Sequence, residues 1–192
     1  MSQMGFYYDA DNCIGCHTCQ VACKDTNCLH VGENFRTVRT FCTGSGYTPR
    51  LYHLSLSCTN CEHAACMQAC AFGAIVRNDE GIVVVDEGAC AGCGLCADAC
   101  PYDAIAMLAE GVAGMCDGCA ELRAIGEEPA CVASCPQRVI EFGPLDELAA
   151  RHLGEELSLA AAPLPTPDTC APRMLMRKKD CMADPDYDEL VI

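Results

Sequence analysis

Hydrophobic and polar residues alternate along this chain only in short bursts. Val38 to Cys42 and Arg50 to Leu56 have strand character on either side of Gly44-Ser45-Gly46, so the spacing predicts a β-hairpin there. It would be a surface hairpin or a partner-docking element. A second hairpin is predicted where Ala74-Ile75-Val76-Arg77 and Gly81-Ile82-Val83-Val84-Val85 flank Asn78-Asp79-Glu80. Pro144 to Leu153 reads as a helix, with Asp146 and Glu147 early, Arg151 and His152 late, and Gly154 after it. From Ala160 to Pro172 there are four prolines and no period, which predicts an extended strap rather than a domain. Its basic run Arg173, Arg177, Lys178 and Lys179 reads as a solvated face or as a dock for an acidic partner. The longest tidy apolar run is Ile82 to Val85, far short of the ~20 residues a bilayer span needs.

Composition explains why the pattern is so broken. Twenty of the 192 residues are cysteine, and the 51% apolar content includes them. Tryptophan is absent and aromatics are 6%, so a core built on large rings is not expected. Twelve Lys and Arg against 27 Asp and Glu give a charge of −15, which excludes a nucleic-acid footprint. Met1-Ser2-Gln3-Met4-Gly5 carries no basic region, apolar stretch or twin arginine, so no export signal of its own is expected. That lowers the prior for disulfides and raises it for metal.

Sixteen of the cysteines form four quartets. Cys13, Cys16, Cys19 and Cys23 read C-x2-C-x2-C-x3-C, and Cys90, Cys93, Cys96 and Cys100 repeat it. Cys58, Cys61, Cys66 and Cys70 read C-x2-C-x4-C-x3-C. Cys116, Cys119, Cys131 and Cys135 read C-x2-C-x11-C-x3-C. A C-x2-C-x2-C run wraps three thiolates around one cubane and sends a fourth to a neighbouring cluster. Structural zinc would use pairs of knuckles and leave the third close cysteine idle. Gly15, Gly92, Gly94 and Gly118 lie inside these loops, where backbone amides must approach sulfur. An isoleucine follows three fourth cysteines at +5 (Ile75, Ile105, Ile140), placed to pack over a cluster as a strand begins. After Cys23 that position is Cys28.

Quartets two and three with the second hairpin read as one two-cluster ferredoxin unit, residues 56–106. Quartets one and four form an outer unit, 1–55 and 107–143, carrying a 31–55 insertion. Residues 144–192 add a helix and an extended partner-docking tail, whose loss beyond residue 160 would leave the clusters intact. The fold class is α+β: two interleaved bacterial-type dicluster ferredoxin units plus the strap. No carboxylate pair, Ser-His-Asp set or phosphate loop accompanies the cysteines. The protein is therefore not expected to be an enzyme by itself. Lys24 and Arg138, beside fourth cysteines, are candidates to offset cluster charge. His17 and His63 read as surface or capping residues, or as tuners of a neighbouring potential, and His30, His53 and His152 as singletons. Cys28, Cys42, Cys170 and Cys181 default to buried free thiols.

These features together resemble the four-cluster iron–sulfur (B) subunit of the dimethyl sulfoxide reductase family of molybdopterin oxidoreductases, over roughly residues 4–145. The resemblance implies four [4Fe–4S] clusters with cross-paired ligands. Cluster A would take Cys13, Cys16, Cys19 and Cys135; cluster B, Cys116, Cys119, Cys131 and Cys23. Cluster C would take Cys58, Cys61, Cys66 and Cys100; cluster D, Cys90, Cys93, Cys96 and Cys70. Relatives lacking the second ligand of quartet three hold a three-iron cluster, but here Cys93 is present. Ala71 departs from the family's usual proline. The implied role is single-electron relay to or from a molybdopterin-binding catalytic subunit in a heterodimer, in anaerobic respiration or reductive metabolism. A membrane anchor or quinol-linked subunit is a further partner left open. Folding in the cytoplasm is implied, with the final side set by the partner. The alternative is a freely diffusing four-cluster ferredoxin.

Overall fold

The computed structural model describes residues 3–44 and 48–191, so Ser45 and Gly46 of the first predicted turn lie outside the described residues. Strand β1 (Met4–Asp9) delivers the chain to the first quartet, and β8 (Ile140–Pro144) leaves the fourth. The two pair antiparallel, Met4 opposite Pro144 and Tyr8 opposite Ile140. This ladder holds the ends of the cysteine-bearing region side by side. Helix α6 (Leu145–Arg151) realises the predicted helix and packs on β1 and β8.

Between these strands the helices are only one to three turns long: α1 (Thr18–Thr26), α2 (Ala65–Ala69), α3 (Leu95–Asp98), α4 (Ala120–Ala124) and α5 (Ala130–Ala133). Helices of this length are not stable alone and depend on tertiary packing. α1 packs on α5 and α2 on α3, so quartet one meets four, and two meets three. Each +5 isoleucine opens a strand as expected: Ile75 in β4 (Ile75–Arg77), Ile105 in β6 (Ile105–Met107) and Ile140 in β8. β4 pairs with β5 (Val83–Val85), and β6 with β7 (Ala113–Met115). The tip of the β4–β5 hairpin is pinned to α4 by a bidentate Arg123–Glu80 pair at 2.7 Å, with Arg123 also over the Phe142 ring.

The 37–56 hairpin, β2 (Thr37–Thr43) and β3 (Arg50–Leu56), forms as the alternation predicts but is not a surface element. Phe41, Tyr52 and Leu54 are fully buried, and the Phe41 and Tyr52 rings stack at 5.3 Å. With Phe6 and Tyr8 they make an aromatic centre that the 6% ring content did not suggest. Rings are few, and four of them share one place.

The tail lies along the body that precedes it. β9 (Leu175–Arg177) adds to β1 in parallel, and β10 (Tyr187–Leu190) adds to β2 antiparallel. Met174, Met176, Cys170, Cys181 and Met182 are buried in the main core. An aperiodic, proline-rich sequence builds no core by itself, but its apolar residues are absorbed by one already present. The basic run is largely paired rather than solvated: Arg173 with Glu62, Arg177 with Asp9 and Asp11, Lys178 with Glu156. No helix among the described residues is long and apolar enough to cross a membrane.

Candidate metal centres

The ligand loops share a backbone device. The second residue after each quartet's first cysteine is left-handed: Gly15 (φ 64°), Asn60 (51°), Gly92 (65°) and Gly118 (72°). Asparagine tolerates this region better than other side chains, which is how Asn60 substitutes for glycine. The third residue after a fourth cysteine is left-handed too, at Gly73, Asp103 and Arg138. That turn aims the next amide at sulfur: Ala74 N–H donates to Cys70 Sγ (3.3 Å) and Ala104 N–H to Cys100 Sγ (3.5 Å). The sequence repeat is thus a repeat of amide-to-sulfur geometry.

At Gly92 the requirement is severe. A Cβ there would stand 2.0 Å from the Gly111 carbonyl oxygen, in a backbone region costing roughly 1–2 kcal/mol for an L side chain. Gly92→Ala is expected to lose the cluster of quartet three's loop, lowering bound iron by about a quarter of a four-cluster total. Iron analysis and EPR of the reduced protein check it. Unchanged iron and spectra would show that the loop does not need its tight form.

Cys13, Cys16, Cys19 and Cys135 line one pocket, together with Val38, Val139 and Ile140. Cys58, Cys61, Cys66 and Cys100 line a second, with Ala104, Ile105 and Met115. Cys23 has Cys116, Cys131 and Cys119 around it, with the Arg36 cation. Cys96 has Cys70 and Cys90. The sets adjoin in order. Cys19 faces Cys131, Cys58 faces Cys116, and Cys66, Cys70, Cys90 and Cys96 share one apolar cluster with Cys58.

Burial, then the neighbouring Cys116, pushes the Cys23 thiol up to about 12. Burial likewise takes Cys116 to about 12 and Cys66 to about 11. At Cys70 burial is outweighed by the amides of Ala74, Ile75, Phe72 and Gly73, which hold the thiol below its ordinary value. Metal binding to such thiols must release their protons. Among the described residues no three His, Cys, Asp or Glu side chains converge on a single-ion site. Soft thiols ringing a cavity and met by amides fit a sulfide-bridged cubane. Zinc would want four donors ~2.0–2.3 Å from one point.

Residues without a sequence signature complete the surroundings. Arg36 is buried among the outer quartets; Ser55 Oγ lies 3.3 Å from Cys19 Sγ, and Thr59 Oγ1 3.2 Å from Cys61 Sγ. His53, read as a singleton, touches the first loop: a Cβ on Gly15 would meet its ring at 2.3 Å, and its Nδ1 is 2.9 Å from Thr40 Oγ1. His17 starts α1 in a left-handed conformation. His152 sits between Glu141 and Glu155, stacked on Tyr7. Arg138 donates to the Ala133 carbonyl and Lys24 to those of His30 and Glu33, so both hold backbone. Cys170 and Cys181 are buried free thiols as expected, whereas Cys28 is exposed and Cys42 half-buried.

Comparison with known proteins agrees with this geometry. A 4Fe-4S dicluster domain model matches residues 49–145, and a 4Fe-4S binding domain model matches residues 4–25. The sequence is 38% identical to the B subunit of the anaerobic dimethyl sulfoxide reductase of Haemophilus influenzae, over 92% of its own length and 90% of that relative's. It is 39% identical to the B subunit of the same reductase in Escherichia coli K12, over 92% and 89%. It is also 39% identical to the thiosulfate reductase electron transfer subunit PhsB of Salmonella typhi, over 76% and 78%.

Proposed function

We propose, for a protein that belongs to the iron–sulfur B-subunit family of the anaerobic dimethyl sulfoxide reductases, that it relays single electrons through four [4Fe–4S] clusters to or from a molybdopterin-containing catalytic subunit. The observation that carries this is the row of four thiol sets, two of them ringing cavities. Cluster A is assigned Cys13, Cys16, Cys19 and Cys135; B, Cys116, Cys119, Cys131 and Cys23; C, Cys58, Cys61, Cys66 and Cys100; D, Cys90, Cys93, Cys96 and Cys70. Bound there, each cluster supplies one-electron storage. The protein's part is to hold thiolates, aim amides at them and surround them with apolar side chains, the levers that set cluster potentials. The outer unit is residues 1–55 with 107–143, and the inner is 56–106.

The row runs A, B, C, D, and fully thiolate-ligated iron offers no open position to a substrate. Substrate chemistry therefore belongs to the catalytic subunit. The relatives are named as parts of reductases, which favours a bound subunit over a diffusing ferredoxin. The complex folds in the cytoplasm, and its final side follows the catalytic subunit.

Anaerobically purified protein is expected to carry about sixteen irons and sixteen acid-labile sulfides, four per cubane. Zinc in place of iron, or three-iron EPR signals in protein never exposed to oxygen, would overturn the count. Purification of the native complex is expected to bring down a molybdopterin-containing subunit in equal amount; an unaccompanied iron–sulfur protein would defeat the subunit reading.

A further inference from the structure

We infer that Arg36 is the fixed counter-charge shared by clusters A and B, a tuning residue that raises both reduction potentials relative to a neutral side chain at the same place. This rests on the ligand assignment proposed above. Arg36 is only 1% exposed, yet no carboxylate among the described residues pairs with it. Its Nη1 donates to the Ser55 carbonyl (3.2 Å) and to Ser55 Oγ (3.1 Å), and its Nη2 to Ser57 Oγ (3.0 Å). The guanidinium carbon lies 4.7 Å above the Phe6 ring, and Nε is buried without a partner.

A guanidinium cannot shed its proton to escape burial. A buried charge left unpaired costs several kcal/mol, so the fold must compensate it with negative charge. The groups around it that can become negative are thiols. Those thiols are Cys131, Cys116, Cys19 and Cys23. Three of these are assigned to cluster B and one to cluster A. Ser55 Oγ, which accepts from Arg36, also touches Cys19 Sγ, giving a direct polar path to the first cluster. Each assembled cluster with its thiolates is an anion, and reduction deepens that charge. A positive charge fixed between two such sites favours the reduced state of both and lowers their mutual repulsion. The thiols around Arg36 include none assigned to cluster D, and cluster C comes near only through Ser57, the residue before Cys58.

The test is a redox titration followed by low-temperature EPR on the full complex carrying Arg36→Gln, Arg36→Lys or neither, with iron analysis of each. In Arg36→Gln the reduction equilibria of A and B are expected to move at least tenfold against reduction, about 59 mV for one electron. D should hold still, C should move less than A and B, and Arg36→Lys should restore most of the shift. If Gln prevents cluster assembly while Lys allows it, compensation of charge is again what the site requires. Fully assembled clusters with unchanged potentials in Gln, an equal shift of all four, or equal failure of Gln and Lys would each overturn the inference. A wild type without four cubanes would instead remove the assignment beneath it.

Discussion

Cys23→Ser is expected to destroy or convert the cluster held by Cys116, Cys119 and Cys131, while the cluster of its own loop-mates Cys13, Cys16 and Cys19 is touched only secondarily. Cys23 lies in the last turns of α1, buried, with Cys116, Cys131 and Cys119 around it and the Asn27 amide 3.7 Å from its sulfur. α1 packs against α5, which carries Cys131, the contact on which the proposed crossing rests. Cys135 of the fourth quartet in turn lines a pocket with Cys13, Cys16 and Cys19 of the first. Serine offers a harder, shorter-reaching donor to an iron that prefers thiolate. The expected reading is EPR of one altered centre, with iron lower by as much as about a quarter of a four-cluster total. A lesion confined to the first quartet's own cluster would refute the interleaved arrangement.

Removal of residues 160–192 is expected to unfold much of the protein, not merely weaken an assembly. Met174, Met176 and Met182 are buried, and burying a methionine is worth roughly 1.5–3 kcal/mol. Three such losses rival the ~5–15 kcal/mol that holds a typical domain together. The tail also clamps the second quartet's loop. Arg173 N–H donates to the Thr59 carbonyl, and Glu62 and His63 N–H donate to those of Ala171 and Cys170. Cluster C should therefore be the first to fail. Thermal unfolding, iron content and EPR of the truncated protein decide the matter. A monomeric truncated protein with full iron would restore the tail's role as a strap dispensable to the clusters.

Much of this was legible in the residues. Cysteine spacing announces thiol quartets because a cubane needs donors on a tight loop, and a repeat of spacing is a repeat of geometry. The +5 isoleucines and both hairpins are local features, set by alternation and turn residues within a few positions. Gly15, Gly92 and Gly118 mark left-handed turns directly, while Asn60 does the same work without looking like it. The tail misleads because proline and aperiodicity report what a segment builds alone. They do not report what it covers.

Local order and donor chemistry were thus written in the sequence: α+β with short elements, four quartets, electron transfer. Which distant groups meet is a matter of packing. Packing put the 37–56 hairpin at the centre, laid β9 on β1, and buried Arg36 beside Cys19, Cys23, Cys116 and Cys131. No spacing rule points to that arginine. Its place follows from β2 and β3 packing against the outer quartets, and an electrostatic field depends on distance through space rather than along the chain.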